Sequence, residues 1–379
     1  MKIKDSSLPA LYQRSFWFIL FCVGFFIYFI LENYEIQFSN FAAKVTNFAV
    51  GNGWNLRYYD AQGIPYSYIA RLREKVVSPY YVVHYGLIYS QSVNPPAGYE
   101  WIWPNDDSFK LWGENPPSGL ITKENFINAA DWIIRNLEKD EYGNTHIFYH
   151  FQWPYEGTSE GYLQAPWYSG LTDAIAIKLL IRAYAFTKDK RYFDAASRLY
   201  NSVLTQIDKG GSLVYDEFGN PWIEEYISRN NTKIPFVLNG MIYATLAILD
   251  YERFSDVEKP MGYKLIETIK KRTPAFDTGY WTFYDLLGTL AKPKYHFIHV
   301  SLMKVLYEKT KDPFFLNVHS RWEKYNTHFF TRYFIKHRPT VNSIVVLCIS
   351  FVFWILITVI LYIVYNIVYK FWRREMIKR

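Results

Sequence analysis

LLIRAYAFTKDKRYF (residues 179–193) recurs at an offset of 123 residues as LMKVLYEKTKDPFFL (302–316). The two stretches share five equivalent positions: Leu179/Leu302, Tyr184/Tyr307, Thr187/Thr310, Lys188/Lys311 and Asp189/Asp312. Between them, ILDY (248–251) followed by Asp256 occupies a similar helix end. Helix pairs repeated at roughly 60-residue spacing are typical of rings of helical hairpins. The repeat therefore predicts a mainly α fold, an (α/α) toroid or an incomplete barrel of that kind.

Hydrophobic periodicity predicts where the helices of this ring lie. NFINAADWIIRNL (125–137) has apolar residues at helical spacing, and Thr122 with Asn125 resembles a helix start. The same pattern predicts helices at 172–187, 191–207, 237–251, 259–271, 298–310 and 313–326. The loops 143–168, 211–236 and 272–297 are rich in Tyr, Trp and carboxylates. A ring gathers such loops at one end, so we expect short β-hairpins there around a cleft.

Apolar segments at both ends of the chain predict two flanking transmembrane helices. Residues 15–31 and 341–369 contain no charged residue, and basic residues flank both segments. The positive-inside rule places the arm 1–14 and the tail 370–379 in the cytoplasm, and the domain between them on the extracellular or luminal side. A cleaved signal peptide at 15–31 is one alternative. The reverse orientation, favoured by the basic residues at 332–338, is another.

The chain divides into six parts: an arm (1–14), a transmembrane helix (15–31), an irregular Tyr- and Pro-rich part (32–121), an (α/α) domain (122–330), a transmembrane helix (341–369) and a basic tail (370–379). Of the formal net charge of +7, the arm contributes +2 and the tail +4. The central domain is therefore close to neutral, which argues against a nucleic-acid partner. The two cysteines, Cys22 and Cys348, lie in the apolar segments, so no disulfide or cysteine metal site is expected in the domain.

Two aromatic and acidic stretches are candidates for chemistry. FDTGYWTFYDL (276–286) surrounds a glycine turn with phenols, an indole and carboxylates, and WIEEY (222–226) places two acids beside two aromatic residues. A buried aromatic hairpin and an acidic helix end are the corresponding structural explanations. His296 and His299 are either a weak metal pair or structural histidines. No Gly-rich phosphate loop is present, so we expect no nucleotide cofactor.

Six stretches, in order and spacing, resemble the C-terminal catalytic domain of the D-glucuronyl C5-epimerases. They are ADWIIRN (130–136), PWYSGLTDAIAIKLLIRAYAFTKD (166–189), WIEEY (222–226), FVLNGMIYATLAILD (236–250), DTGYWTFYDL (277–286) and KYHFIHVSLMKVLYEKTKDPFF (294–315). In addition, SPYYVVHYGLIYS (78–90) is similar to the segment that precedes the β-domain of the family, and it is predicted to be a helix start or a strand. Only a Trp-rich stretch (101–121) stands where animal members have a β-sandwich.

The resemblance implies a membrane-bound enzyme that inverts C5 of D-glucuronate to L-iduronate in a polysaccharide, without a cofactor. By position it implies that Tyr284, Tyr295, Glu225 and Tyr226 are catalytic, with Glu225 or a tyrosinate removing the proton and a phenol returning one. Expected substrate-binding residues are Trp167, Tyr168, Trp222, Glu224, Asn239, Asp277, Trp281, Asp285, His296 and Arg229.

One departure concerns the substrate carboxylate. The family has a basic residue after Tyr-Asp-Leu, whereas this chain has Leu287-Gly288. Carboxylate recognition is therefore assigned to one or more of Arg229, Lys233, Lys292, Lys294 and His296. A uronate polysaccharide lyase and a non-catalytic glycan-binding or assembly module are the alternative functions, and a homodimer is left open.

Overall fold

The computed structural model describes residues 17–24, 35–51, 53–69, 74–105, 115–155, 158–231, 233–325 and 341–378, together with residues 15, 26, 109 and 111. The chain forms two compact units. The larger comprises Arg57–Ile335, and the smaller comprises Met1–Leu56 with Lys336–Arg379. Each unit is described separately below.

The described part of the larger unit is mainly helical. Its helices are α2 (Pro79–Tyr89), α3 (Lys123–Arg135), α4 (Gly170–Thr187), α5 (Lys190–Val203), α6 (Leu238–Ser255), α7 (Gly262–Arg272), α8 (Pro293–Thr310) and α9 (Pro313–Tyr325); the smaller unit contributes α1 (Glu35–Ala49). A three-stranded antiparallel sheet contains β1 (Tyr58–Tyr59), β2 (Pro65–Ile69) and β3 (Glu74–Val76). Three two-stranded antiparallel hairpins follow: β4 (Leu137–Lys139) with β5 (Thr145–Ile147), β6 (Trp153–Pro154) with β7 (Tyr162–Leu163), and β8 (Leu213–Tyr215) with β9 (Pro221–Ile223).

The internal repeat predicted from the sequence is confirmed in backbone detail. Lys188 and Lys311 end α4 and α8 with positive φ angles of 61° and 57°, and each amide donates to a tyrosine carbonyl four residues earlier. The aspartate that follows each lysine accepts a hydrogen bond from a backbone amide two residues further on, at the start of the next helix. Asp256 ends α6 in the same left-handed conformation, with φ 49°. The repeat thus encodes a helical hairpin in which one side chain closes each tight turn.

Residues 32–121 are not irregular as predicted, because they contain α1, α2 and the sheet β1–β3. SPYYVVHYGLIYS forms a helix, with Pro79 at its first position, where a missing amide proton costs nothing. Gly86 lets α2 approach α4 closely, since a β-carbon there would lie 2.7 Å from Leu179 Cδ2. Arg182 is fully buried and its guanidinium donates to the Leu87, Ile102 and Pro104 carbonyls. These contacts attach the N-terminal part to the helical core.

In the smaller unit, α10 (Val341–Lys378) contains the stretch Cys348–Val368. Among the described residues, one helix is long and apolar enough to cross a membrane, and it contains this stretch. Only 6% of an 18-residue apolar part of it is buried. Residues 17–24 are helical, and the Trp354 indole donates to the Leu20 carbonyl at 2.9 Å. The rest of the transmembrane helix predicted at 15–31 lies largely outside the described residues.

Candidate active site

Residues from the three aromatic loops meet at one cleft. The Tyr155 ring lies 4.5 Å from the Tyr226 ring, and the Tyr226 and Tyr284 hydroxyls are 3.0 Å apart. The Tyr295 ring, in the first turn of α8, lies 4.8 Å from the Tyr284 ring. Each of these four tyrosines is partly exposed as a residue, although the Tyr155 hydroxyl oxygen itself is buried. The predicted clustering of the loops is thus observed for this set of residues.

Glu224 holds the loop 211–236 in place. Its Oε1 accepts from the Glu225 and Tyr226 amides at 2.8 and 3.3 Å, and its Oε2 accepts from the Phe236 amide at 2.9 Å. Phe236 has a positive φ of 55°, which marks the tight return of this loop to α6. Burial raises the pKa of Glu224 to about 7, although these three donors oppose the shift. These hydrogen bonds fix the position of the neighbouring Glu225, and the substrate-binding role expected for Glu224 stays a prediction.

Glu225 is the buried acid that retains bonding capacity. Its side chain is 5% exposed, and Oε2 has no hydrogen-bond partner among the described residues. The carboxyl lies against the first turn of α6, where a β-carbon on Gly240 would be 2.4 Å from Oε2. Burial raises its pKa to about 8, a hydrogen bond from the Tyr226 hydroxyl opposes that shift, and the charge of Glu224 adds to it. A carboxyl whose pKa is raised in this way is suited to take up and release a proton near neutral pH.

The surrounding phenols are held in the protonated form. Burial, followed by the charge of Glu225, raises the pKa values of Tyr226, Tyr284 and Tyr295. Protonated phenols donate hydrogen bonds and can donate protons. The cleft therefore combines one carboxyl group that can accept a proton with several hydroxyl groups that can supply one.

The cleft has a further wall that the sequence did not assign. Tyr80 and Tyr81 of α2 belong to it, since the charge of Glu225 raises the pKa of Tyr80, after burial and the effects of Tyr243 and Tyr81. Their placement follows from the Tyr80 amide, which donates to the Tyr149 hydroxyl at 3.1 Å. Over Tyr81 lies the guanidinium of Arg57, with Cζ 3.6 Å from the ring centre. The sequence signal for this wall was the helical spacing of the tyrosines in YYVVHY (80–85).

Several predicted binding residues make contacts that hold the loop 272–297 in place. Asp277 accepts from the Trp322 indole and the Tyr325 hydroxyl at 2.9 and 2.8 Å, and it pairs with Arg321 at 2.8 Å. Trp281 is buried and stacks on His296 at 3.7 Å. The His296 nitrogens contact the Thr282 hydroxyl and the Trp322 carbonyl, and burial lowers its pKa to about 3. Thr282 also contacts His299 Nδ1 at 3.1 Å.

The remaining candidates occupy varied places, and their binding roles stay predictions. Tyr168 donates to the Gly210 and Gly211 carbonyls at 3.0 Å, Trp167 stacks on Tyr149 at 3.9 Å, and Asp285 accepts from the Leu287 and Thr289 amides. Arg229 is exposed on its loop. Trp222 and Asn239 are fully buried, and their side-chain polar atoms have no partner among the described residues. Within those residues, no group of three side chains suited to a metal ion occurs.

The chain is similar to known proteins over most of its helical domain. Residues 143–324 match the family model described as D-glucuronyl C5-epimerase C-terminus. An uncharacterized protein of Methanocaldococcus jannaschii is 34% identical over 230 residues, which cover 57% of this chain and 71% of that protein. The D-glucuronyl C5-epimerase of Caenorhabditis elegans is 30% identical over 224 residues, which cover 53% of this chain and 34% of that enzyme.

A sugar epimerase from a ruminal bacterium is a distant structural likeness, with a TM-score of 0.38 and 15% identity over 78% of this chain and 71% of its own. The family model includes Glu225, Tyr226, Tyr284 and Tyr295 within its matched range. The family match shows that the helical domain of this chain, over residues 143–324, belongs to the family of the D-glucuronyl C5-epimerase C-terminus, a family of isomerases.

Proposed function

We propose that this protein is a membrane-anchored epimerase that inverts C5 of D-glucuronate residues to L-iduronate within a polysaccharide. The observation that supports this most is the Glu225 carboxyl, which is buried, has an unbonded oxygen and lies among phenols. C5 inversion needs a proton acceptor on one face of the sugar ring and a proton donor on the other. The cleft supplies both types of group within one set of contacting side chains.

In the first step Glu225 acts as the base. Its carboxylate takes the C5 proton, the C5–H bond breaks, and the electron pair moves into the substrate carboxylate to give an enediolate. Burial places the pKa of Glu225 near 8, so its ionised form is a stronger base than an ordinary carboxylate. A tyrosinate base is disfavoured, because the phenol pKa values are all raised above their usual range.

In the second step a phenol returns a proton to the opposite face of C5. Tyr284 or Tyr295 breaks its O–H bond, a C–H bond forms, and the electron pair of the enediolate returns to the carbon. Glu225 then releases the C5 proton to water and the phenolate regains a proton from water, with the Tyr226 hydroxyl, 3.0 Å from that of Tyr284, in place to pass it on. Protons and charges then balance over one turnover, and the enzyme returns to its starting state.

The proposal includes an incomplete (α/α) toroid, two membrane crossings and a catalytic domain outside the cytoplasm. Its support is the repeated helical hairpin, the apolar stretch Cys348–Val368 and the basic residues at both ends of the chain. The contact between Trp354 and Leu20 fits a pair of packed apolar helices. Catalysis outside the cytoplasm would give the site access to an exported or surface polysaccharide.

Incubation with heparosan, a glucuronate polymer, in deuterated water tests the function. We expect deuterium at C5 in chains of unchanged length, and loss of this exchange in Glu225→Gln and Tyr284→Phe. Tyr263→Phe is the matched control, since Tyr263 is 70% exposed on α7 and outside the cleft. Unsaturated chain ends would instead identify a lyase. Binding without exchange or cleavage would identify a non-catalytic glycan-binding module.

A further inference from the structure

Two cations lie on the wall of the cleft that α2 and the start of α8 provide. The Arg57 guanidinium is stacked on Tyr81, and its Nε is buried with no hydrogen-bond partner among the described residues. Lys294 is partly buried in the first turn of α8, and its Nζ lies 5.8 Å from the centre of the Tyr295 ring. Both cations therefore contact tyrosines that line the cleft.

The charges of the two cations act on the same neighbours. Burial lowers the pKa of Lys294; the Tyr81 phenol opposes that shift, and the Arg57 charge adds to it. His84, at 3% exposure, has its pKa lowered to about 3 by burial and then by Arg57 and Lys294. The groups that act on Arg57, apart from burial, are the phenols of Tyr81, Tyr85 and Tyr59. Burial and a like charge both disfavour the charged form of Lys294, and a bound anion would offset these costs.

We propose that Arg57 and Lys294 together bind the carboxylate of the uronate whose C5 is inverted. This inference rests on the proposed function and assigns the cation pair that replaces the basic residue absent after Tyr284-Asp285-Leu286. A guanidinium and an ammonium suit a planar carboxylate, which accepts several hydrogen bonds at once. Once the proton has left C5, the same two charges stabilise the enediolate oxygens.

The position of the pair fits the rest of the cleft. Tyr295 is influenced by both chemical groups: its ring centre lies 5.8 Å from Lys294 Nζ, and the charge of Glu225 raises its pKa after burial. The carboxylate carbon of a uronate is bonded directly to C5, so cations that hold the carboxylate also hold C5 near them. Arg229, Lys233 and Lys292, which the sequence also suggested, are exposed. Water screens exposed charges, so these three residues would attract a substrate carboxylate much less strongly than partly buried cations do.

Binding of heparosan and of carboxyl-reduced heparosan, in which each uronate is a neutral hexose, tests the assignment on the full-length protein. We expect the wild type to bind native heparosan at least tenfold more tightly than the reduced polymer. Arg57→Gln and Lys294→Gln should each abolish that preference, and Lys294→Arg should restore most of it. Lys292→Gln, two residues away and exposed, is the matched control and should retain it. Glu225→Gln should lose exchange but keep the preference.

The outcomes separate this inference from the proposed function. If folded Arg57→Gln and Lys294→Gln keep the full preference for native heparosan, the carboxylate assignment is overturned and the epimerase proposal stands. If the wild type shows the preference and the variants lose it, but no polymer exchanges deuterium, the two cations bind a uronate carboxylate while the epimerase proposal fails. Should a glutamine variant not fold, the charge-conserving variants Arg57→Lys and Lys294→Arg take its place. The assignment predicts that each loses only part of the preference for native heparosan, because the positive charge remains while the hydrogen-bonding geometry changes.

Discussion

Substituting Gly240 by alanine would place a methyl group where the Glu225 carboxyl now lies. The added β-carbon would be 2.4 Å from Oε2, 2.9 Å from Cβ and 3.1 Å from Cδ of Glu225. Gly240 lies in the first turn of α6, so the backbone around it is held by helical hydrogen bonds. The Glu225 side chain is the part that must move, and its buried position leaves little room for it.

The size of the effect follows from this geometry. Ordinary van der Waals contact begins at 3.4 Å, so the carboxylate must withdraw by about 1 Å. A displacement of about 1 Å from the reactive position reduces the rate by roughly 100-fold, or about 2.7 kcal/mol of transition-state stabilisation. Stability changes less, because alanine favours the helix by about 1 kcal/mol while crowding costs about 1–3 kcal/mol.

Deuterium exchange at C5, measured on protein whose folding is checked by thermal denaturation, is the assay. Gly262→Ala is the matched control. A β-carbon on Gly262 would lie 2.5 Å from Leu249 Cδ2 and 2.7 Å from Glu252 Oε2. Glu252 lies on α6 about 18 Å further along the helix than Gly240. The Gly262→Ala variant should lose stability without losing exchange per folded molecule. A folded Gly240→Ala variant that exchanges at the wild-type rate would refute the position assigned to the catalytic carboxyl.

Three further predictions concern titration and the helical repeat. Exchange should rise as the pH increases through about 8, because Glu225 must be ionised to accept a proton; a flat profile would contradict its role as the base. Because the folded-state pKa of Glu225 is raised, the wild type loses stability as the pH rises from about 4.5 to about 8, and Glu225→Gln should unfold at a higher temperature than the wild type at pH 9. Equal unfolding temperatures there would show that the carboxyl ionises freely. Lys188→Gly or Lys311→Gly should stabilise the protein by up to about 1 kcal/mol, since glycine adopts their positive φ without strain, and a lower unfolding temperature would contradict this.

The helices could be predicted because the signals for them are local. Thr122 caps α3 by accepting from the Asn125 amide at 3.2 Å, as its position in the sequence suggested. The α8 helix begins at Pro293, earlier than the predicted start at 298, and its first turn holds one fully buried side chain, His296, beside the partly exposed Lys294 and Tyr295. The apolar periodicity from which helices are predicted is weak in such a turn.

The N-terminal part could not be predicted in the same way. The α2 helix is buried on nearly all sides, so it lacks the alternation of polar and apolar faces that identifies a surface helix. The strands β1 to β3 contain two to five residues each, and their pairing depends on contacts along the sheet and not on local pattern. Short elements of this kind are easily mistaken for loop in a Tyr-rich sequence.

The candidate site was predicted in part. Glu225, Tyr226, Tyr284 and Tyr295 do come together, although adjacent glutamates could be told apart only by tertiary contacts. Both Glu224 oxygens accept hydrogen bonds from amides, whereas Glu225 Oε2 has no partner among the described residues.

For the aromatic and histidine residues the sequence could not separate a structural role from a binding role, because a large side chain fills a core as readily as it binds a sugar. Trp281 and His296 stack on each other in the interior. Arg57 was missed because its contact with Tyr81 joins segments that share no motif.

Proton nuclear magnetic resonance of heparosan after incubation with the wild-type protein in deuterated water tests the central claim most directly. The account predicts L-iduronate signals, with deuterium at C5 of the new iduronate and no unsaturated ends. It also predicts that Glu225→Gln gives neither iduronate nor deuterium while binding the polymer as tightly as the wild type. Iduronate formed by Glu225→Gln at the wild-type rate would contradict the claim.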